Sequence, residues 1–338
     1  MTALEPMLSH LDLASVLLGQ FVGRRVLVVG DVVLDEYLIG KATRLSREAP
    51  VPVLELIERD WRLGAAANPA ANVAALGGAP VMVGVVGRDV SGERMRDLLT
   101  TAGVDPAGLV VAADRTTAIK TRILATHASA HPQQVARIDD LPRAALSSET
   151  ESAVLAKVAA LLPACDAVLV SNYRGGVVSP RVLAAIVQLA TAHGIPTCVD
   201  SQGNLLNFQG FTLVKSNQPD AEAALGIVFR DEADFQGAGA RLVRELGANH
   251  AVITRGGDGM SVIAADGGHT HLPPTNPTEV WDVTGAGDTV IAVLALGLAA
   301  RADLVTAAGL ANAAAGLVVR RIGVATVTPA ELLAALDD

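Results

Sequence analysis

Short aliphatic runs recur along this chain, and most are followed by a longer Ala-rich or amphipathic stretch that carries its own helix punctuation. The strand expectations are Arg25–Gly30, Pro80–Val86, Asp166–Val170, Pro196–Asp200, Phe211–Ser216, Ala251–Thr254 and Met260–Ala264. Such alternation points to βαβ crossovers and a mainly parallel sheet with helices on both faces, because parallel neighbours need long connections that cover the sheet. The intervening helices are legible at their ends. Ser179-Pro180 opens one and Gly194 closes it, Ser91 to Gly103 brackets another, and Thr328-Pro329-Ala330-Glu331 reads as a capping box for the last.

Two stretches break this rhythm. Pro50–Glu58 and Thr116–Asp140 are rich in β-branched residues and have no helix of their own, the second interrupted by His127–Pro132. They predict a small antiparallel flap, about 48–60 with 114–140, lying as a lid over the ligand edge of the sheet. With no linker, repeat or low-complexity tract, residues 1–338 read as one domain plus this lid.

Composition narrows the function classes. The chain is 51% hydrophobic and 18% charged, enough apolar material to offset the ordering entropy that keeps polar chains unfolded. Aromatics make up only 3% and the formal charge is −9, which argues against base stacking and phosphate-driven association, so no nucleic-acid partner is expected. The longest apolar stretches, such as Val290–Ala300, fall short of the ~18 residues a spanning helix needs. No export signal is evident and the two cysteines, Cys165 and Cys198, lie in or beside apolar runs. A cytoplasmic protein with buried, inert thiols is the expectation.

The most informative segment is Glu279–Thr289, EVWDVTGAGDT, followed by the apolar run Val290–Ala300. A Gly-rich turn here runs straight into a helix, so Gly285, Ala286 and Gly287 are placed to present backbone N–H groups to an anion at the positive end of the helix dipole. Asp288 falls in the first turn, beside the position a transferring phosphoryl group would take, where a carboxylate can accept an alcohol proton. An acid that merely complements the dipole is the bland alternative. A dinucleotide fingerprint is disfavoured, since its third glycine would be Val290, and no P-loop motif occurs.

DVTGAGDT at 282–289 is similar to the C-terminal signature of the PfkB, or ribokinase-like, carbohydrate kinases, and other motifs line up with that family in order. Gly30-Asp31-Val32-Val33-Leu34-Asp35 resembles its first strand, and Gly64-Ala65-Ala66-Ala67-Asn68 with Asn72-Val73-Ala74 its N-terminal glycine signature. Ser216-Asn217-Gln218-Pro219-Asp220 resembles its N-x-x-E motif and Thr254–Gly259 its nucleotide loop. Longer stretches at 30–53, 133–139, 283–291 and 311–319 are similar to members that phosphorylate the anomeric hydroxyl of a heptose 7-phosphate in ADP-heptose biosynthesis. The chain stops at Asp338 without the second domain of bifunctional relatives, so a stand-alone kinase is expected.

The resemblance implies a three-layer ribokinase-like α/β fold with a small β lid, and an ATP- and Mg²⁺-dependent sugar kinase with Asp288 as base and Gly285, Ala286 and Gly287 as anion hole. It implies sugar contacts from Asp31, Asp35, Gly64 and Asn68, and a sugar-phosphate contact from Arg137 on the lid. Asn217, Asp220, Thr254, Gly256, Gly259 and Asn312 would serve the nucleotide, with Mg²⁺ at Asp220 through water. Asp282, Thr284 and the Gly323–Thr326 turn would form a loop for a monovalent cation, K⁺. A homodimer acting on a small sugar or sugar phosphate is expected. Four departures stand out: Ala65 for a glycine, Asn172 for an acid, and Gly175 and Gln202 where relatives carry lysines. Lost positive charge weakens phosphate binding, with Arg174 or Lys215 placed to compensate. The alternatives are another sugar kinase of the family, or a degenerate sugar or nucleotide binder.

Overall fold

A computed structural model describes residues 10–127, 130–275 and 280–337. Its strands are β1 Arg25–Gly30, β2 Val32–Leu45, β3 Pro52–Ala65, β4 Ala79–Gly87, β5 Asp105–Ala112, β6 Ile119–His127, β7 Ala130–Asp140, β8 Ala167–Asn172, β9 Thr197–Ser201, β10 Leu213–Asn217, β11 His250–Thr254, β12 Met260–Ala264 and β13 His269–Leu272. Nine of them form the main sheet in the order β13-β12-β11-β10-β9-β8-β1-β4-β5. Pairing is parallel from β11 through β5 and antiparallel at β12 and β13.

The sheet separates two aliphatic cores, and the two-residue period of a strand assigns side chains to each. Val26, Val28 and Leu169 face one side, packing with the helices Ala286–Ala299 and Leu304–Val318. Leu27, Val29, Val168 and Val170 face the other, against Val158 and Ile186. The three-layer architecture expected from the sequence is therefore present. Cys165 and Cys198 are both free and buried, and burial pushes both thiols up from their ordinary range.

The lid is larger than expected. Strands β3-β2-β6-β7 make a separate four-stranded sheet, with β2 and β6 parallel and the other two pairings antiparallel. The register pairs Asp35 with Arg62 and Lys120, and Tyr37 with Arg122, so these residues share one face of the sheet. Strand β2 was not anticipated, because Asp35, Glu36, Gly40 and Lys41 interrupt the apolar run that follows β1. The sequence puts lid material at 48–60, but β3 continues to Ala65 and carries the chain back to the main sheet. The His127–Pro132 break falls partly outside the described residues.

Two further elements differ from expectation. Strand β5 contains Pro106 and Gly108, which mask it in sequence, yet it lies at the sheet edge where proline is tolerated. The helix placed at Ser91 to Gly103 spans Val90–Thr101, and its N-cap is Asp89, whose carboxylate accepts from Gly92 N at 2.7 Å. The same acid accepts from Thr117 N and Oγ1. Ser179, Gly194 and the Thr328/Glu331 box behave as the sequence indicates.

Gly30, the last residue of β1, sits where a Cβ would lie 2.0 Å from the Ser171 carbonyl oxygen and 2.8 Å from Ala66 Cβ. Gly30→Ala therefore prises β1 from β8 at the end of the sheet that bears the polar cavity. The expected loss is ~1–3 kcal/mol of unfolding free energy, read by urea denaturation; an unchanged midpoint would show that this approach is not tight.

Candidate active site

The carboxyl ends of β8, β9, β10 and β11 open on a cavity of about 860 Å³, whose far wall is the start of the helix Ala286–Ala299. Parallel sheets place their ligand crevices at this edge. Gly285 reaches the helix at φ +84°, and a Cβ there would also meet Asn68 Nδ2 at 2.9 Å. Glycine is required at this position on both counts. No side chain caps the helix, and the N–H groups of Gly285, Gly287 and Asp288 have no partner among the described residues. Ala286 departs from the expected anion hole, because its N–H already donates to the Val283 carbonyl at 3.3 Å.

Asp288 lies on the cavity wall and is only 6% exposed. Asn68 Nδ2 donates to its Oδ2 at 2.7 Å and the Tyr173 hydroxyl to its Oδ1 at 2.8 Å. Burial raises its carboxyl to about 6; the two hydrogen bonds and Lys215 pull it down, and the nearby charge of Asp200 pushes it up. The Tyr173 hydroxyl is driven well above its usual range, chiefly by burial and then by Asp288, so it remains a donor at neutral pH. Asn68 is itself oriented by Asn72, whose Nδ2 donates to the Asn68 carbonyl at 3.0 Å and to Asn68 Oδ1 at 3.2 Å. Thr289 Oγ1 completes the chain by donating to Asn72 Oδ1 at 3.0 Å.

Asp31 is not a cavity residue, a correction to the sugar-binding expectation. Its Oδ2 accepts from the N–H groups of Tyr173 and Gly175 at 2.9 Å each, and its Oδ1 from Val177 N at 3.0 Å. The acid shapes the 173–177 loop and thereby aims Tyr173 at Asp288. It also accounts for Gly175, where a Cβ would lie 2.8 Å from Asp31 Oδ1. Asp35 is buried on the lid face, its Oδ1 held by Arg122 Nη1 at 2.6 Å. Gly64 leaves space for the other oxygen, which a Cβ would meet at 2.5 Å.

The two arginines expected to bind phosphate lie elsewhere. Arg137 is half exposed on β7 and paired with Asp139 at 2.9 Å. Arg174, in the left-handed region at φ +63°, borders a separate cavity with Asn204 and Phe208. Asn217, Asp220, Thr254, Gly256, Gly259 and Asn312 all line the Asp288 cavity. Asn217 also caps the helix Gln218–Leu225 and donates to Asp220 Oδ2 at 2.9 Å, and Asn312 donates to the Pro273 carbonyl at 2.6 Å. The glycines serve the turn geometry, since Gly256 and Gly259 have φ of +59° and +81°.

Sequence reasoning did not assign Tyr173 or Asp200, and it gave Lys215 only a compensating role. Tyr173 lies in the 171–176 stretch that resembles the family's S-D-Y-x-K-G, but its place is set by Asp31, far away in sequence, which nothing local reveals. Lys215 and Asp200 face each other across β10 and β9 and bond at 2.7 Å beside the glycine turn.

Metal fit differs between the two expected ions. Asp200, Asp220 and Asp288 border the cavity, yet no three His, Cys, Asp or Glu side chains among the described residues are grouped to hold an ion. That donor set fits Mg²⁺ carried mainly by phosphates and water. At the other loop, Asp282 already accepts from Thr284 N and Gly323 N at 2.9 Å each. The carbonyls of Ile322 and Val324 take Arg62 Nη1 at 3.0 and 3.3 Å. A guanidinium supplies the charge there, and these residues do not fit K⁺.

Comparison with known proteins agrees with this architecture. Residues 24–331 match the pfkB family carbohydrate kinase profile. The chain is 42% identical over 311 residues to the bifunctional protein HldE of Geobacter metallireducens, covering 92% of this chain and 62% of that one. It is 41% identical over 333 residues to HldE of Caulobacter vibrioides, covering 98% and 66%. The chain thus spans about 62% of the length of the first of these relatives. In fold it resembles phosphofructokinase-2 from Escherichia coli in complex with substrates and products, at TM-score 0.75 and 21% identity over 94% of this chain and 100% of that one. It also resembles Arabidopsis thaliana ribokinase complexed with ribose and ATP, at 0.71 and 17% over 94% and 99%. With a family match running from the first strand to the last helix, the chain belongs to the pfkB family of carbohydrate kinases.

Proposed function

We propose that this chain transfers the γ-phosphoryl group of ATP to a hydroxyl of a phosphorylated sugar, with the anomeric C1 hydroxyl of D-glycero-β-D-manno-heptose 7-phosphate as acceptor. The observation that carries the reading is a buried carboxylate at the start of a helix whose leading amides are free. A base poised near neutrality and an anion site beside it are what phosphoryl transfer to an alcohol demands. The substrate class rests on the resemblance at 30–53, 133–139, 283–291 and 311–319 and is supported by the HldE relatives.

In this reading Asp288 takes the proton of the attacking hydroxyl, while Asn68 and Tyr173 fix the direction of its two oxygens. The N–H groups of Gly285 and Gly287 face the charge that builds on the transferring group. Asp220, by way of water, would hold Mg²⁺, which would neutralise the nucleotide phosphates. Thr254, Gly256, Gly259, Asn217 and Asn312 shape the nucleotide end. Asp35 and Asn68, with Gly64 clearing space, hold the sugar under the lid. Lys120, whose Nζ lies 5.4 Å from the Tyr173 ring centroid, brings positive charge over the same place.

The protein works on small molecules in the cytoplasm in this reading. No helix among the described residues is long and apolar enough to cross a membrane. Exposed Leu56, Ile57, Val135 and Ile138 on the lid strands favour pairing with a second copy. A changed sugar is the second reading, favoured by the missing lysines at Gly175 and Gln202. ADP release measured with heptose 7-phosphate, other sugar phosphates and free sugars decides between them, and no turnover with any would refute the kinase assignment.

Two outcomes follow from the geometry of Asp288. Asp288→Asn is expected to lower kcat by ~10³-fold, within the range a positioned base supplies, with sugar binding retained in calorimetry. The pH profile of kcat/KM should fall on the acid side of about 6, because Asp288 accepts a proton only when ionised. Tyr173→Phe removes a bond that favours the carboxylate, so that limb should move upward and activity should fall further at pH 6 than at pH 8. An unmoved limb would dissociate Tyr173 from the base.

A further inference from the structure

Arg62 belongs to β3 of the small sheet, yet its guanidinium is planted on the 322–326 turn of the main body. Nη1 donates to the Ile322 carbonyl at 3.0 Å and to the Val324 carbonyl at 3.3 Å, and Nε donates to Asp60 Oδ2 at 2.7 Å. Gly323, between those two carbonyls, has φ +73°, and a Cβ on it would lie 2.9 Å from Arg62 Nη1. The guanidinium therefore meets the turn with no side chain between them. From the other side Gly323 N donates to Asp282 Oδ2 at 2.9 Å, while Asp282 Oδ1 accepts from Thr284 N at 2.9 Å. Gly285 follows at once, and a Cβ on it would lie 3.6 Å from Val324 Cα. The backbone that presents the free amides thus rests on a turn whose carbonyls Arg62 holds.

This turn calls for positive charge. Burial opposes the charge of Asp282, but hydrogen bonds from Thr284 and Gly323 and the nearby Arg122 hold its carboxyl below the ordinary range, so it is an anion at neutral pH. The carbonyls of the turn add their negative ends beside it. A monovalent metal ion would need these oxygens as ligands. Instead Arg62 takes two of them, and Arg321 Nη1 takes a third, that of Thr326, at 2.6 Å. Arg122 is itself bound to Asp35 at 2.6 Å. A guanidinium keeps its charge at every working pH and offers its donors in a fixed fork, which suits paired carbonyls.

We infer that Arg62 is a positioning residue that acts as a built-in cation for this turn, so that the chain keeps its anion hole in shape without a monovalent metal ion. The inference rests on the kinase reading. Arg62 makes no bond to the reacting atoms and moves no proton; it fixes the backbone from which the Gly285 and Gly287 amides face the transferring group. A free ion occupies such a place only in proportion to its concentration, whereas a tethered charge is always at hand. The tether also reaches the acceptor end. Arg62 stands two residues before Gly64, whose missing Cβ leaves room for the Asp35 carboxylate. One strand therefore clears space for the sugar and braces the turn behind the phosphate.

The test compares the full-length wild type with Arg62→Ala in potassium chloride and in tetramethylammonium chloride at equal ionic strength. ADP release is followed with heptose 7-phosphate, and binding of a non-hydrolysable ATP analogue with Mg²⁺ by calorimetry. Wild-type kcat and analogue affinity should agree within ~2-fold between the two salts. In tetramethylammonium, Arg62→Ala should lose ~10²-fold of kcat, the scale of a catalytic group displaced by about 1 Å, with KM for the sugar changed less than ~3-fold. It should also bind the analogue ~10-fold more weakly, and millimolar guanidinium should recover at least ~10-fold of the lost kcat and most of the affinity. A wild type activated more than ~10-fold by K⁺ overturns the assignment, as does a variant that keeps its kcat or a loss that guanidinium leaves unrepaired. If thermal melting shows that Arg62→Ala does not fold, Arg62→Gln carries the same comparison. Wild-type protein that binds the analogue equally in both salts yet phosphorylates no sugar condemns the kinase reading alone, and the analogue titrations of wild type and variant then decide on Arg62.

Discussion

Asp288 is removed from water, placed at a helix start and gripped from two sides, and most of the polar architecture exists to hold it so. Each grip comes from a different part of the fold: Asn68 from the helix that follows the lid, Tyr173 from the loop after β8. A buried carboxylate without donors would become a neutral acid; with too many it would be too weak a base. Two hydrogen bonds against full burial leave it near 6, between these extremes. Its partners are themselves tied, Asn68 through Asn72 to Thr289 and Tyr173 through its backbone N–H to Asp31.

This arrangement explains why small residues surround the site. Gly30, Gly64, Gly175, Gly285 and Gly287 each have another polar or backbone group where a Cβ would stand. The tight approach lets backbone amides and short side chains serve as ligands with little freedom to reorganise, which is the condition for electrostatic stabilisation of developing charge. The thin, aliphatic core serves the same end. Interdigitated Val, Leu and Ala on both faces of the sheet hold the strand ends, and hence the loops, in register.

Much of this was legible in the sequence, and what was not has physical reasons. The central strands β1, β4, β8, β9, β10, β11 and β12 announced themselves as aliphatic runs, since strands covered on both faces have no polar side to show. Asp288 and the glycine turn were visible because a helix start, its glycines and its acid are neighbours in the chain. Strand β2 was hidden because its two faces meet different surroundings and charged residues, Asp35, Glu36 and Lys41, interrupt its apolar run. The task of Asp31 was also hidden, since its partners lie 142 to 146 residues away. An acid after a strand looks the same whether it faces a sugar or folds a loop. Lys215 was noticed only as a spare charge, because nothing local shows that β10 delivers it to the foot of another element.

Strand β1 passes into β2 with Asp31 alone between them, and Ala66 N returns to the Asp31 carbonyl at 2.9 Å where β3 re-enters the body. One junction between the small sheet and the main sheet is thus a single residue, and that residue's carboxylate also holds the loop bearing Tyr173. Main chain and side chain of one aspartate therefore tie the seat of the small sheet to the tyrosine that grips Asp288, so neither can be displaced without the other.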